Sequence, residues 1–156
     1  FDGYVNDFNV DRSGTKMGVA FSEVRVERSG EVSERETSGP PEPRRPGNIA
    51  AIVDLSTGQV LRKTTLHEGV VSTAAISPDG QTLVSGGWDK RLYVVGSKSS
   101  RPRVERQLDG PVRQVRFSDD GLFLAVGTGM PPKAPRDRRS SSSAVIHEAI
   151  YRNDEE

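Results

Sequence analysis

The chain has 156 residues, about the length of one domain, and its 22 basic and 22 acidic residues leave no net charge. This balance argues against nucleic acid or an anionic membrane as the main partner. The absence of cysteine excludes disulfides, thiol catalysis and zinc–thiolate sites, and two histidines are too few for a multi-histidine metal site. The chain begins at Phe1 with neither Met nor a signal-peptide pattern, which is typical of a processed piece or a part of something longer.

The elements predicted along the chain are strands. Val, Ile, Leu and Phe alternate with small or polar residues, and no helical period is present except a weak one at 145–151. No apolar run approaches the roughly 20 residues that a membrane span needs. The predicted strands lie near residues 4–10, 15–22, 49–54, 59–65, 71–77, 81–87, 91–95, 102–107, 112–118, 122–128 and 144–151.

Three turns that contain glycine divide these strands into repeating units. Gly80 follows Gly14 by 66 residues, and Gly121 follows Gly80 by 41. The longer interval contains residues 23–47, a charged segment rich in Pro and Gly whose 25 residues account for the excess. The apolar positions that flank the turns keep the same offsets in three columns: Val5, Val71 and Val112; Val10, Ile76 and Phe117; Met17, Leu83 and Leu124.

Residues 67–95 resemble the repeat of the WD40 family, whose members fold as β-propellers, and the 41-residue interval falls within that repeat's ~40–45-residue period. As in the family's repeat, His67 precedes the first strand, Ser85 lies on the second strand and Asp89 lies in the turn after it. The resemblance implies that these three side chains form a hydrogen-bonded chain that stiffens the blade. The chain would end there, because Val95 replaces the family's Trp and has no N–H to donate.

The resemblance covers residues 1 to about 129 and implies an all-β fold. We expect a partial β-propeller of about three four-stranded antiparallel blades that needs further blades to close, since propellers close with about four to eight. The two end blades would expose apolar faces and strand edges. Three kinds of cover stay open: further blades on another segment or chain of the parent protein, a second copy in a six-blade ring, or an unrelated domain. The expected units are blade 1 at 1–66 with the charged insert 23–47, blade 2 at 67–108, and an incomplete blade 3 at 109–156 with a basic insert at 129–143.

Both inserts lie between the second and third strands of their blades, so the resemblance implies that they project from one face. The turn at 87–90 should lie between them, and a Trp at such a tip resembles a binding hot spot. In ordinary family members the same Trp packs on the next blade, and inserts of this composition are often solvated loops. The candidates for the binding face are Trp88, Lys90, Asn6, Ser72 and Arg113, together with Arg136, Arg138 and Arg139 of the basic insert.

The residues identify no catalytic, metal or cofactor site. His67 fits the structural position, and His147 has no nucleophile motif beside it. We therefore predict a protein–protein interaction scaffold, not an enzyme, whose partners are proteins and include the remaining blades. The alternative is a sensor or docking propeller segment of a larger signalling NTPase, kinase or protease. The composition favours a soluble, cytoplasmic protein, since the absence of cysteine permits a reducing compartment.

Overall fold

The computed structural model describes residues 3–23, 47–99, 101–102, 104–129 and 144–147, which form eleven β-strands and no helix. In the part of the chain that is described, nothing has the helical length and apolarity to cross a membrane. Arg136, Arg138 and Arg139 lie outside the described residues, as do most of both predicted inserts. The strands are β1 Gly3–Val10, β2 Lys16–Glu23, β3 Gly47–Asp54, β4 Val60–Thr64, β5 Val71–Ile76, β6 Thr82–Gly87, β7 Arg91–Gly96, β8 Val104–Gln107, β9 Val112–Phe117, β10 Leu124–Thr128 and β11 Ala144–His147.

These strands form three antiparallel sheets in which neighbours in sequence are neighbours in space. The first sheet contains β1–β4, the middle sheet contains β5–β8, and the third sheet contains β9–β11. The predicted all-β fold of antiparallel sheets is confirmed. The strand β10 begins at Leu124, two residues later than expected. The reason is that Ser118 Oγ and Asp120 Oδ1 accept hydrogen bonds from the backbone N–H groups of Phe123 and Leu122, at 2.9 Å each, and hold both residues in the turn.

The turn between the first two strands of each sheet repeats the same chemistry. Gly14, Gly80 and Gly121 have φ values of 70°, 68° and 73°, a left-handed conformation that a side chain would strain. In the first turn the Asp11 carboxylate accepts the backbone N–H groups of Thr15 and Lys16, at 2.9 and 3.0 Å. The glycine spacing in the sequence therefore marks real, equivalent turns.

The sheets pack face to face at two interfaces. At the first interface, between the first and middle sheets, a methyl group on Gly18 would lie 2.9 Å from the Ile76 backbone nitrogen. At the second interface, between the middle and third sheets, a methyl group on Gly86 would lie 2.6 Å from Val112 Cβ. Glycine is needed at both positions because the inner strand of the following sheet approaches so closely. The buried side chains are Ala20, Ala50, Ile52, Val71, Ala74, Ile76 and Leu83 at the first interface, and Ala75, Val84, Leu92, Val94, Val112, Val115, Leu124 and Val126 at the second.

Candidate binding face

The three side chains predicted to stiffen the middle sheet lie in contact. His67 Nδ1 lies 3.0 Å from both carboxylate oxygens of Asp89, and His67 Nε2 lies 2.9 Å from Ser85 Oγ. Asp89 also accepts the backbone N–H groups of Glu68 and Arg91, at 3.0 and 3.2 Å. This chain of hydrogen bonds ties the segment before β5 to the turn between β6 and β7, so both loops on this side of the middle sheet are held in place.

The environment of His67 keeps its imidazole neutral. Burial lowers the pKa of His67 below its ordinary value and outweighs the opposing effect of the Asp89 carboxylate. A neutral ring that donates from Nδ1 to Asp89 accepts the Ser85 hydroxyl at Nε2, so both nitrogens are engaged. Both Ser85 and His67 are buried, at 1% and 6% exposure, so a substrate cannot reach this hydrogen-bonded chain.

Tyr93 completes this site, and the sequence reasoning missed it. Its ring meets the His67 ring edge-on, with the centroids 4.8 Å apart. Its hydroxyl donates to Glu105 Oε1 at 3.3 Å and accepts from Arg91 Nη1 at 3.2 Å. The alternation of side chains along a strand could have identified Tyr93. It lies two residues before Val95, the position at which the resemblance ends the hydrogen-bonded chain, and therefore on the same face of β7.

Trp88 lies at the tip of the turn between β6 and β7, where 45% of its surface is exposed. The Arg113 guanidinium of β9 lies over the indole ring, with Cζ 5.6 Å from the ring centroid. Lys90 has a φ of 65°, which is unusual for a residue with a side chain. Three of the predicted candidates therefore lie on one side of the stack, with the indole reaching across the second interface.

Asn6 and Ser72 form hydrogen bonds between adjacent sheets. Asn6 Nδ2 donates to the carbonyl oxygen of Val71 across the first interface, at 2.7 Å. Ser72 Oγ donates to the carbonyl oxygen of Val112 across the second interface. Both side chains occupy the same position in their inner strands, one residue after the Val5 and Val71 column. Their contacts join adjacent sheets, so a direct role on the binding face stays a prediction.

A polar network along the inner strands was not predicted. Asp7 of the first sheet accepts hydrogen bonds from Thr73 Oγ1 at 2.6 Å and from Arg116 Nη1 and Nη2 at 3.0 and 3.2 Å. The backbone N–H of Val115 donates to Thr73 Oγ1 at 3.1 Å. Burial would raise the pKa of Asp7, but the hydrogen bonds from Arg116 and Thr73 lower it overall, so Asp7 is ionised at neutral pH. All three sheets are thereby linked at their inner strands.

A second concave region lies at the opposite end, among the glycine turns. A groove of about 320 Å³ runs between Arg12, Pro78, Asp79 and Asp120. Asp120 accepts the Leu122 backbone N–H, and Asp79 accepts the Gln81 N–H, both at 2.9 Å. These carboxylates shape the turns. Within the described ranges, no three His, Cys, Asp or Glu side chains come together to hold a metal ion.

Comparisons with known proteins agree with this geometry. The family model "WD domain, G-beta repeat" (WD40) matches residues 58–95. The Periodic tryptophan protein 2 homolog of Neurospora crassa is 35% identical over 79 residues, which are 49% of this chain and 9% of that protein. WD repeat-containing protein 38 of Mus musculus is 45% identical over 56 residues, which are 36% of this chain and 18% of that protein. The resemblance inferred from residues 67–95 is confirmed.

A solved structure has the same architecture. The β-propeller domain of Cps50 (Swd1) from Myceliophteria thermophila superposes on 82% of this chain with a TM-score of 0.57, and 33% of that domain's chain is covered. The sequences are only 16% identical, so this likeness bears on the fold alone. The three sheets described here therefore correspond to part of a propeller, and the chain spans less than a fifth of the two relatives' length.

Proposed function

We propose that this chain, which is similar to WD40 repeat proteins and has the architecture of part of a β-propeller, acts as a protein–protein interaction scaffold. WD40 propeller proteins generally mediate interactions between proteins, so a protein partner is the class to expect. The observation that carries the proposal is the half-exposed Trp88, which lies at a turn tip under the Arg113 guanidinium. Aromatic and arginine side chains of this kind supply most of the binding energy at protein interfaces.

The proposed face is rigid before any partner arrives. The turn that carries Trp88 also carries Asp89, whose carboxylate is fixed by His67 and by two backbone N–H groups. The Trp88 backbone N–H donates to the Val70 carbonyl at 2.9 Å. A face held in this way loses little conformational entropy when it binds, and preorganisation favours affinity.

The chemistry of the face suggests an acidic partner surface with an apolar anchor. The indole offers apolar area, and Lys90 and Arg113 bring two cations to the same side of the stack. The basic insert starts nearby, because the Gly129 backbone N–H donates to the Pro111 carbonyl just before β9, at 3.0 Å. Arg136, Arg138 and Arg139 would add to this positive charge. We also propose that the chain has no catalytic function of its own and works in the cytoplasm.

A photo-crosslinking experiment tests this face. A photoreactive phenylalanine analogue placed at Trp88 should capture a protein partner from native cells, and the same analogue at Leu122 should not. Leu122 is the matched control, because it is also exposed but lies on the opposite side of the sheets. Arg113→Ala should weaken the capture about tenfold, as expected for a hot-spot contact. Equal capture from both positions would contradict the proposal.

A further inference from the structure

The dipeptide Asp-Gly occurs at four places in the sequence, and three of them lie wholly within the described residues, at 79–80, 109–110 and 120–121. An aspartate isomerises most readily before glycine, because glycine has no side chain to hinder its backbone nitrogen. That nitrogen can attack the side-chain carboxyl carbon of the aspartate and close a succinimide ring. The three pairs present the same reacting atoms, so any difference in their reactivity comes from the fold.

Two of these pairs are held by hydrogen bonds in the glycine turns. The Asp79 carboxylate accepts from the Ser77 hydroxyl and from the Gln81 backbone N–H, the second at 2.9 Å. The Gly80 backbone N–H donates to the Ser77 carbonyl at 2.8 Å. The pair at 120–121 repeats all three contacts. Both the attacking nitrogen and the carboxylate are therefore engaged, and the ring cannot close until these bonds break.

The pair at 109–110 has different surroundings, in the loop between β8 and β9. Asp109 is exposed, and among the described residues no hydrogen bond or ion pair engages its carboxylate or the Gly110 backbone N–H. A methyl group on Gly110 would find its nearest neighbour, the Gly129 backbone nitrogen, at 3.5 Å, so the loop has room at this residue. Rotation about the bonds of Asp109 is therefore enough to bring the reacting atoms together.

We propose that Asp109 is a site of spontaneous isomerisation to isoaspartate, and that the aspartates of the two glycine turns are protected from it. The Gly110 nitrogen attacks Cγ of Asp109, and the carboxyl hydroxyl takes the N–H proton and leaves as water, which gives the succinimide. A water molecule then opens the ring. Attack at the Cγ carbonyl restores aspartate, whereas attack at the main-chain carbonyl leaves the chain running through Cγ. The water lost is regained, so the mass of the chain is unchanged.

Isomerisation adds a methylene group to the main chain between two fixed points. Leu108 and Pro111 are each tied to a neighbouring segment by a backbone hydrogen bond, of 2.8 and 3.0 Å. The longer chain cannot keep both bonds unless the start of β9 moves. Arg113 lies on that strand and over the Trp88 ring, so we expect the modification to disturb this contact. The inference goes beyond the proposed function and does not depend on a protein partner.

Peptide mapping of the aged protein tests the site. The chain is kept for weeks at neutral pH and physiological temperature, and a protease that cleaves before aspartate but not before isoaspartate measures each position. Isoaspartate should form at Asp109 about tenfold faster than at Asp79 or Asp120, the factor expected when a hydrogen bond must first break. A synthetic peptide of residues 106–113 gives the rate without the fold. Equal rates at the three positions, or no reaction at Asp109 while the peptide reacts, overturns the proposal.

Two variants and a denaturant separate the fold from the local sequence. Gly110→Ala has room for its methyl group and should slow the reaction at Asp109, because the attacking nitrogen is hindered. Ser118→Ala removes a hydrogen bond from Asp120 and should speed the reaction there without changing it at Asp109. In concentrated urea the three aspartates of the native sequence should react at similar rates. An Asp120 that stays unreactive in the Ser118 variant and in urea would show that the turn does not protect it.

Tryptophan fluorescence measures the effect on the structure, because Trp88 is the single tryptophan of the chain. The emission should change in proportion to the isoaspartate at Asp109 as the contact with Arg113 is disturbed. Gly110→Ala, aged in the same way, is the control and should keep its emission. An unchanged emission from fully isomerised protein would contradict the predicted movement of β9.

Discussion

The middle sheet and the first sheet have the same design and different surroundings. Five of the six residues of β5 are buried, whereas six of the eight residues of β1 are exposed. Ala74 is 0% exposed, and Phe8, which occupies the same column in the first sheet, is 57% exposed. The difference lies in the neighbours, because the middle sheet is covered on both faces and the first sheet on one. A propeller sheet therefore gains most of its burial from the sheets beside it.

The largest loss of stability is expected when a larger side chain is placed in the second interface. Gly86→Val should destabilise the chain by about 3 kcal/mol, because the new side chain overlaps Val112 and β9 must move. Gly127→Val is the matched control on the uncovered face and should change the free energy of unfolding by less than about 0.5 kcal/mol. Urea denaturation at low protein concentration measures both. Equal losses would mean that the third sheet is covered in the monomer.

The valine column gives the next largest effect. Val71→Ala should cost about 2 kcal/mol of stability, because the side chain is fully buried at the first interface and its loss leaves a cavity. Val5→Ala removes the same atoms from an exposed position and should cost less than about 0.5 kcal/mol. Thermal unfolding of the two variants at the same low protein concentration compares them. Similar losses would contradict the assignment of Val5 to an uncovered face.

The middle sheet should also be distinguished by its response to acid. The folded state lowers the pKa of His67, so the unfolded chain takes up a proton first as the pH falls below about 6.5. Stability should therefore decrease with falling pH below that value, by at most about 1.4 kcal/mol per unit. The pKa of Asp7 is also lowered in the folded state, so its contribution to stability is lost only at more acidic pH, as the pH falls below about 4.

Denaturation curves at pH 7, 6 and 5 measure the histidine effect. His67→Gln removes the titrating ring and should flatten this dependence, at a lower stability throughout. Phe1 and Leu108 occupy the corresponding positions in the first and third units, so those two positions contribute no such proton uptake, and His147 is the one histidine that the variant keeps. A pH dependence that persists in the variant would assign the acid response to other groups.

The smallest effect is expected from the inner-strand network. Arg116→Gln should cost about 1 kcal/mol, because the Arg116 side chain is more than a third exposed and solvent weakens its pairing with Asp7. The loss should appear as faster amide exchange in β1, which the pair ties to the third sheet. The charge-reversed double variant Asp7→Arg with Arg116→Asp should recover part of the loss. A double variant less stable than either single one would contradict a specific ion pair.

Local patterns predicted most of the fold. The strands and the glycine turns depend on residues that lie close together in sequence or recur at a fixed interval, and the contacts of His67 were implied by the resemblance to the WD40 repeat. The Asp7–Arg116 pair joins residues 109 positions apart, and nothing in either strand marks the other as its partner. Asn6 and Ser72 were assigned to a binding face because exposed polar residues on an inner strand look alike whether they meet a partner or the next sheet.

Hydrogen–deuterium exchange of the inner strands tests the central claim most directly, that sheets repeat side by side and the end sheets lack cover. At a concentration where the chain is monomeric, the amides of β5 and β6 should exchange most slowly, and those of β1 should exchange faster than their counterparts in β5. Protection in β1 equal to or greater than that in β5 in the monomer would contradict the account.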